Sequence, residues 1–552
     1  MGSKLIFLVV LFASLKVSAA TFYTDHDTGS DANNGTSTAT PFKYCPGDWR
    51  ATGTSSSTTL TAGDTVYFKG GVTNYTARTN GNVINIASSG SVASKISYLG
   101  GQEIAWGSGY PVFTDRHNYY GTAGLGANVF GSSSQRSNLV FRSLRISELG
   151  GSDTPPVDPG VATNRNLGRG FYFSGGLRDS LFAQCQFAEI GYYWNVKPMD
   201  VNAISGLAIE CDDADGVTIS NCFFTKMNFA MEMYANNYIT NITVVDSEFT
   251  SSMKWVIDLA GANNTRFGAI NISSNVIHDF GEFGQTTWTG YGEWPHVDGI
   301  FLRRDSTGMI YSTNNDSTGI NFFKNQFYET NNAGANGTAC IYITAGPSAN
   351  VYSNTFVTTQ KSRSIYVNGT APVGVTPQVV RIYNNTFLED YQNAIDLAST
   401  GGGGTILAQE ITIRENIHYD LRTNNSANTV MYFQSATLAT NLSVNRNLYY
   451  SFNTSGEWFS WVGVGNGGLA LLQSNGLEAN GQFADPLFTD ITYGVGYDSY
   501  LNDLHLQSGS PARGTGTSGG DIGAFPFVAS TTYRGFSFGS GVKLIGAGRV
   551  TQ

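Results

Sequence analysis

Glu210, Glu232 and Asp258 share one local setting. Each is the middle residue of an apolar-x-apolar triplet: Ile209-Glu210-Cys211, Met231-Glu232-Met233 and Ile257-Asp258-Leu259. Alternation with period two sends the outer members of such a triplet into a core and the middle one outward. If successive triplets lie on successive strands, the three carboxyl groups stack at a spacing of roughly 5 Å. Like charges directly opposed in a sheet destabilise it, so the cluster calls for a function or a cation. One such function is cleavage of a glycosidic bond. It takes two carboxyl groups about 5–5.5 Å apart in retaining enzymes and about 6.5–9.5 Å apart in inverting ones. Adjacent triplets match the first spacing and alternate triplets the second. Glu232, flanked by Glu210 and Asp258, is expected to keep its proton to higher pH and to serve as the acid. The plainer alternative is three solvated acids on an open sheet. A chain in which only 13% of residues are charged argues against stacking them there without a purpose.

The strands needed for this stacking are legible as a repeat. The triplet returns as Phe171-Tyr172-Phe173 before the acids and as Ile300-Phe301-Leu302, Ile341-Tyr342-Ile343, Ile365-Tyr366-Val367, Ile395-Asp396-Leu397 and Met431-Tyr432-Phe433 after them. Downstream of each comes a small or amide residue with a large side chain two places on. These pairs are Cys185/Phe187, Cys222/Phe224, Ser247/Phe249, Asn275/Ile277, Asn325/Phe327, Asn354/Phe356, Asn385/Phe387, Asn416/His418 and Asn447/Tyr449. They step by 25 to 37 residues, apart from one step of 50 that contains an insertion. Units of this length with no helical periodicity cannot bury their own apolar faces and must stack. Helical solenoids need amphipathic helices, and propeller blades need about 40–45 residues with hairpins. The predicted fold is therefore all-β, a parallel β-helix of about ten coils. In it the Asn residues form an internal ladder, each amide bonding to the next turn. Cys185 and Cys222 fall in the same column on adjacent coils, where a disulfide and two buried thiols are both compatible with the spacing.

Composition agrees with a large folded chain and excludes several functions. The 552 residues include 66 Gly and 13% aromatics, which rules out a disordered, charge-rich segment. With 31 basic against 41 acidic residues the net charge is −10, so no broad positive field exists for nucleic acid. Lys4, the apolar run from Leu5 to Leu15 and the small residues at 17–20 predict a signal peptide over 1–20 and export; no later run is apolar enough to span a membrane. Five cysteines in so long a chain do not make a disulfide framework, and no zinc spacing occurs.

The start, Phe22-Tyr23-Thr24-Asp25 with Gly29 to Gly35 and Gly63-Asp64-Thr65-Val66-Tyr67-Phe68, resembles the N-terminal cap of secreted right-handed parallel β-helix proteins of the pectate-lyase-like superfamily. The end, Ala484-Asp485-Pro486-Leu487-Phe488, Leu504-His505-Leu506, Gly509-Ser510-Pro511-Ala512 and Asp521-Ile522-Gly523-Ala524-Phe525, resembles their closing segment. The resemblance implies one right-handed β-helix domain with both caps over 21–527, followed by a tail at 528–552. It also implies a polysaccharide partner. The leading expectation is Ca²⁺-assisted β-elimination on a uronate-containing glycan. Glu210, Asp212, Glu232 and Asp258 resemble the calcium site of pectate lyases, and hard carboxylate oxygens suit that ion. Arg303, in the adjacent outward column, is by the same analogy the base that removes the C5 proton, with Lys254 second. Hydrolysis by Glu232 with Glu210 or Asp258 is the alternative, although the Asn-Thr-Asp, Gly-Asp-Asp and Arg-Ile-Lys signatures of polygalacturonase-type hydrolases are absent.

Loops supply the remaining candidates. The insertion from about Asp279 to Pro295 carries Phe280, Phe283, Trp288, Tyr291 and Trp294, aromatic faces that can stack on sugars or pack as a flap. His296 is an auxiliary acid or base, while Asp298 has inward parity and is expected to cap a turn. Tyr234 and Tyr342 are expected to line the groove, which Tyr366 and Tyr432 extend. A second insertion, Gly150 to Arg169, reads as a rim loop. The protein is expected to be a monomer. A non-catalytic adhesin is the alternative from another class, and it predicts isolated acids rather than converging ones.

Overall fold

The computed structural model describes residues 19–76, 81–115, 127–149, 168–190, 206–252, 254–262, 265–281, 297–304, 318–330, 338–344, 347–357, 363–368, 379–388, 393–398, 410–420, 429–434, 442–451, 458–492 and 499–528. The expected leader and tail lie outside this set, apart from Ala19, Ala20 and Val528.

Each turn of the chain contributes three short strands. The first set includes Arg169–Phe173, Leu207–Asp215, Phe229–Val245, Trp255–Gly261, Asp298–Arg304 and Ala339–Thr344, each paired in parallel with the next. A second set, including Arg266–Ser273, Thr318–Phe323 and Ala349–Tyr352, belongs to the same 27-stranded sheet. The third set, including Gln186–Ile190, Phe223–Met227 and Glu248–Ser252, forms a separate 13-stranded sheet. The chain is a right-handed parallel β-helix. One strand per turn in the 13-stranded sheet makes more turns than the ten expected. The additional ones lie toward the N-terminus, where Thr73–Tyr75, Val112–Thr114 and Arg145–Leu149 pair in series without the amide signature.

A single left-handed residue turns each coil from the second strand to the third. Gln184, Asn221, Asp246, Ser274, Lys324, Ser353, Asn384, Glu415 and Arg446 all have φ between 51° and 62°. Each immediately precedes a ladder residue. A non-glycine residue held there costs on the order of 1–2 kcal/mol. The ladder offsets that cost by satisfying the backbone at the bend. Asn275 donates its backbone N–H (3.1 Å) and Nδ2 (3.0 Å) to Asn325 Oδ1. The pattern repeats through Asn354, Asn385, Asn416 and Asn447. Glu478, fully buried, ends the series by accepting from Asn447 Nδ2 and the Tyr449 hydroxyl. At the other end the column holds Cys185 and Cys222 as free, buried thiols.

Inside, apolar residues stack in register. Phe327, Phe356 and Phe387 stack face to face at 5.0 and 4.9 Å, and His418 and Tyr449 continue the stack at 4.6 and 5.2 Å. Burial drives His418 down to about 3, and both its ring nitrogens are sequestered with no hydrogen-bond partner. Since phenylalanine fits this stack two turns earlier, His418→Phe is expected to stabilise the fold by about 1–3 kcal/mol at neutral pH. The advantage grows in acid. The unfolded chain protonates His418 below about 6.5 while the folded one resists, so the wild type loses about 1.4 kcal/mol per pH unit on the way down to about 3. Equilibrium urea unfolding at pH 7 and pH 4 checks both parts, and a variant no more stable than wild type at pH 4 refutes the reading.

Candidate active site

Parallel pairing brings the acids together in the predicted order. Tyr172, Glu210, Glu232, Asp258, Phe301, Tyr342, Tyr366, Asp396 and Tyr432 are successive register partners. Asp212, Tyr234, Ala260 and Arg303 make the adjacent outward column. Outward here does not mean solvated. Glu210 and Glu232 are each only 8% exposed and Asp258 is completely buried.

Two arginines account for much of that burial. Arg303 donates from Nε (3.1 Å) and Nη2 (2.9 Å) to the two oxygens of Asp258. Its guanidinium lies 4.7 Å over the Trp255 ring and 5.3 Å over Phe301. On the other side Arg169 pairs with Glu210 and lies 4.4 Å over the ring of Tyr172. Arg169 was expected at the edge of a rim loop; it instead opens the strand Arg169–Phe173. The pattern of that segment offered no signal for the pairing, since the arginine and its acid lie 41 residues apart. Arg303 is likewise not placed as the expected proton-abstracting base, because its planar fork is spent bidentately on Asp258.

Between these pairs stand two carboxyl groups of another kind. Among the described residues, neither Glu232 nor Asp212 has a hydrogen-bond or ion-pair partner. Burial, reinforced by the charges of Asp258 and Glu210, raises Glu232 to about 8 against the pull of Arg303 and Arg169. Burial, then Glu210 and Asp213, raises Asp212 to about 6. A local irregularity positions Asp212. The pairing register shifts after it, and Asp213 takes φ +48° to accept the Asn237 amide at 2.7 Å. The three extra residues lie in the partner strand, between Tyr234 and Ile239, and interrupt the pairing just beyond Asp212. Lys254, just before Trp255, packs its ammonium 4.5 Å over that ring, and burial lowers its pKa despite Glu232 and Asp258 nearby.

The residues present do not fit a calcium ion. Two of the four expected ligands, Glu210 and Asp258, are held by guanidinium groups whose charge repels a cation. Among the described residues no three His, Cys, Asp or Glu groups stand together as a metal site. Tyr342 is not an open platform either: Phe301 and Tyr366 cover its two faces at 4.8 and 4.6 Å. Tyr234 is half-buried, with Asp212 and the small Ala260 as its register partners. Asp298, expected to cap a turn, is fully buried and accepts the amide of Ala339, its register partner on the next strand, at 3.0 Å. His296, Trp288, Tyr291 and Trp294 lie outside the described residues.

No family model matches the chain, and no curated protein matches it. Solved structures do. A lacto-N-biosidase from Eubacterium ramulus superimposes with a TM-score of 0.44 at 11% identity, over 84% of this chain and 66% of that one. The chain thus spans just under two thirds of that enzyme's length. The pectate lyase Pel9A gives 0.43 at 12% identity, over 93% and 98%. A rhamnogalacturonan lyase gives 0.37 at 13%, over 86% and 92%. At such identities the likeness is one of fold.

Proposed function

We propose that this protein is a glycan-cleaving hydrolase in which Glu232 protonates the departing glycosidic oxygen and Asp212 takes a proton from the attacking water. The observation that carries this reading is the pair of unpartnered carboxyl groups set beside two arginine-paired acids. Their proton affinities are pushed apart, which is how one site holds an acid and a base at the same pH. Asp212 lies two residues along and one strand across from Glu232, so their Cα atoms are about 8 Å apart. Two side chains leaving the same sheet face in parallel keep roughly their Cα separation, and carboxyl groups so spaced match the roughly 6.5–9.5 Å that leaves room for a water and inverts the anomeric centre. In the step, water oxygen bonds to the anomeric carbon as the bond to the leaving oxygen breaks. The water's proton goes to Asp212 and that of Glu232 to the leaving oxygen.

A bell-shaped rate profile is expected, rising through about 6 as Asp212 ionises and falling through about 8 as Glu232 does. Incubation with a panel of glycans should release reducing ends with no unsaturated sugar. A second reading, β-elimination, draws on Lys254, whose burial-lowered ammonium beside the acids suits proton abstraction. Ultraviolet-absorbing unsaturated ends among the products would establish elimination and overturn the hydrolase.

A further inference from the structure

Glu232 and Asp258 are register partners on adjacent strands, about 4.8 Å apart at Cα. Two carboxyl groups so close in a buried site cannot both be charged at low cost, so they hold one proton between them. Burial alone would leave that proton on Asp258, which has no exposed surface, and the charge on Glu232, which keeps 8% of its surface in contact with solvent. That distribution would make Glu232 useless as an acid. Arg303 opposes it with two hydrogen bonds of 3.1 and 2.9 Å to Asp258, made against the rings of Trp255 and Phe301.

We propose that Arg303 is a positioning residue that decides which member of the pair carries the shared proton, holding Asp258 as the carboxylate and leaving the proton on Glu232. The proposal rests on the reading of Glu232 as the acid. The charged groups facing Glu232 are Glu210 with its Arg169 and Asp212 from the preceding strand, and Lys254, Asp258 and Arg303 from the following two. Arg169 pairs with Glu210 on the opposite side, although burial still raises that carboxyl's pKa, and the contest that Arg303 decides is the one between Glu232 and its register partner Asp258. Asp258 stays ionised through the reaction, and only the Glu232 proton moves.

Removing the clamp should hand the proton to Asp258. Arg303→Met is expected to lower kcat by about 100-fold at pH 7 with KM little changed, the mark of an interaction made in the transition state. The decisive variant is Arg303→Met with Asp258→Asn. Asparagine cannot take the proton, so Glu232 regains it and kcat should recover at least about tenfold over the single variant. A double variant no more active than Arg303→Met, or a single variant as active as wild type, overturns the proposal. Carboxyl ¹³C NMR at pH 7 reads the same assignment without turnover: a protonated Glu232 beside an ionised Asp258 in the wild type, and the reverse in Arg303→Met. Identical spectra overturn the proposal. The expected spectra in a protein that cleaves no glycan would sink the hydrolase reading alone. If Arg303→Met does not fold, Arg303→Lys replaces it, one point charge for a fork, and an unchanged Glu232 titration is then the refuting result.

Discussion

Glu232→Gln is expected to lower kcat by 10²- to 10⁴-fold, the usual range for loss of a positioned acid, with KM within about threefold of wild type. Glutamine keeps the shape and the bulk of the side chain and cannot deliver a proton to the leaving oxygen. The fold should not suffer, because Glu232 makes no hydrogen bond or ion pair among the described residues that the amide would break. Glu232 is already neutral at pH 7, so glutamine changes no charge in the column and the melting temperature should hold. Substrates with good leaving groups need less protonation, and on them the variant should recover most of its rate. Full activity on an unactivated glycan would remove Glu232 from the mechanism.

The largest expected loss of stability lies in the core. Asn385→Ala deletes the acceptor for Asn354 N–H and Nδ2, both at 3.0 Å, and the donors to Asn416 Oδ1 at 3.0 Å and Val351 O at 2.9 Å. The Asn354 backbone N–H is left buried without its acceptor, while Asn354 Nδ2 keeps Phe322 O and Asn416 Oδ1 keeps the Asn385 backbone N–H. One stranded N–H at about 1–3 kcal/mol and three further bonds lost at about 0.5–1.5 kcal/mol each put the loss on the order of 4 kcal/mol. Asn350 is the control. It too donates to an asparagine one coil away, to Asn321 at 3.0 Å, but on the outer surface where water can substitute. Asn350→Ala should cost no more than about 0.5 kcal/mol. Because solenoid turns contact only their neighbours, the damage at Asn385 should appear first as faster hydrogen exchange in the coils on either side. Equal denaturation midpoints for the two variants would deny the inner ladder its role.

Which features could be read before folding follows from geometry. The columns were legible because each needed only a period-two triplet and a repeat near thirty residues, and every predicted partner from Tyr172 to Tyr432 falls in register. The ladder was legible for the same reason. The left-handed residue before each ladder position was not: Lys324, Glu415 and Arg446 are not types that announce such a conformation, and it is the amide that follows them which holds it. Asp212 was read as a ligand from the resemblance, and the register shift that follows it, made by extra residues in the partner strand, leaves no mark in the residue pattern.

Sequence alone determined which residues become neighbours, since in a parallel coil one residue per turn occupies each column and the spacing along the chain names it. Only the tertiary structure decided what those neighbours do. Whether Glu210 and Asp258 are neutralised, and Glu232 and Asp212 left to exchange protons, depends on Arg169 and Arg303 reaching diagonally between strands and on how deeply each oxygen is buried. Charge and proton affinity are set by such distances and by the loss of water around them, and neither is written in the order of residues.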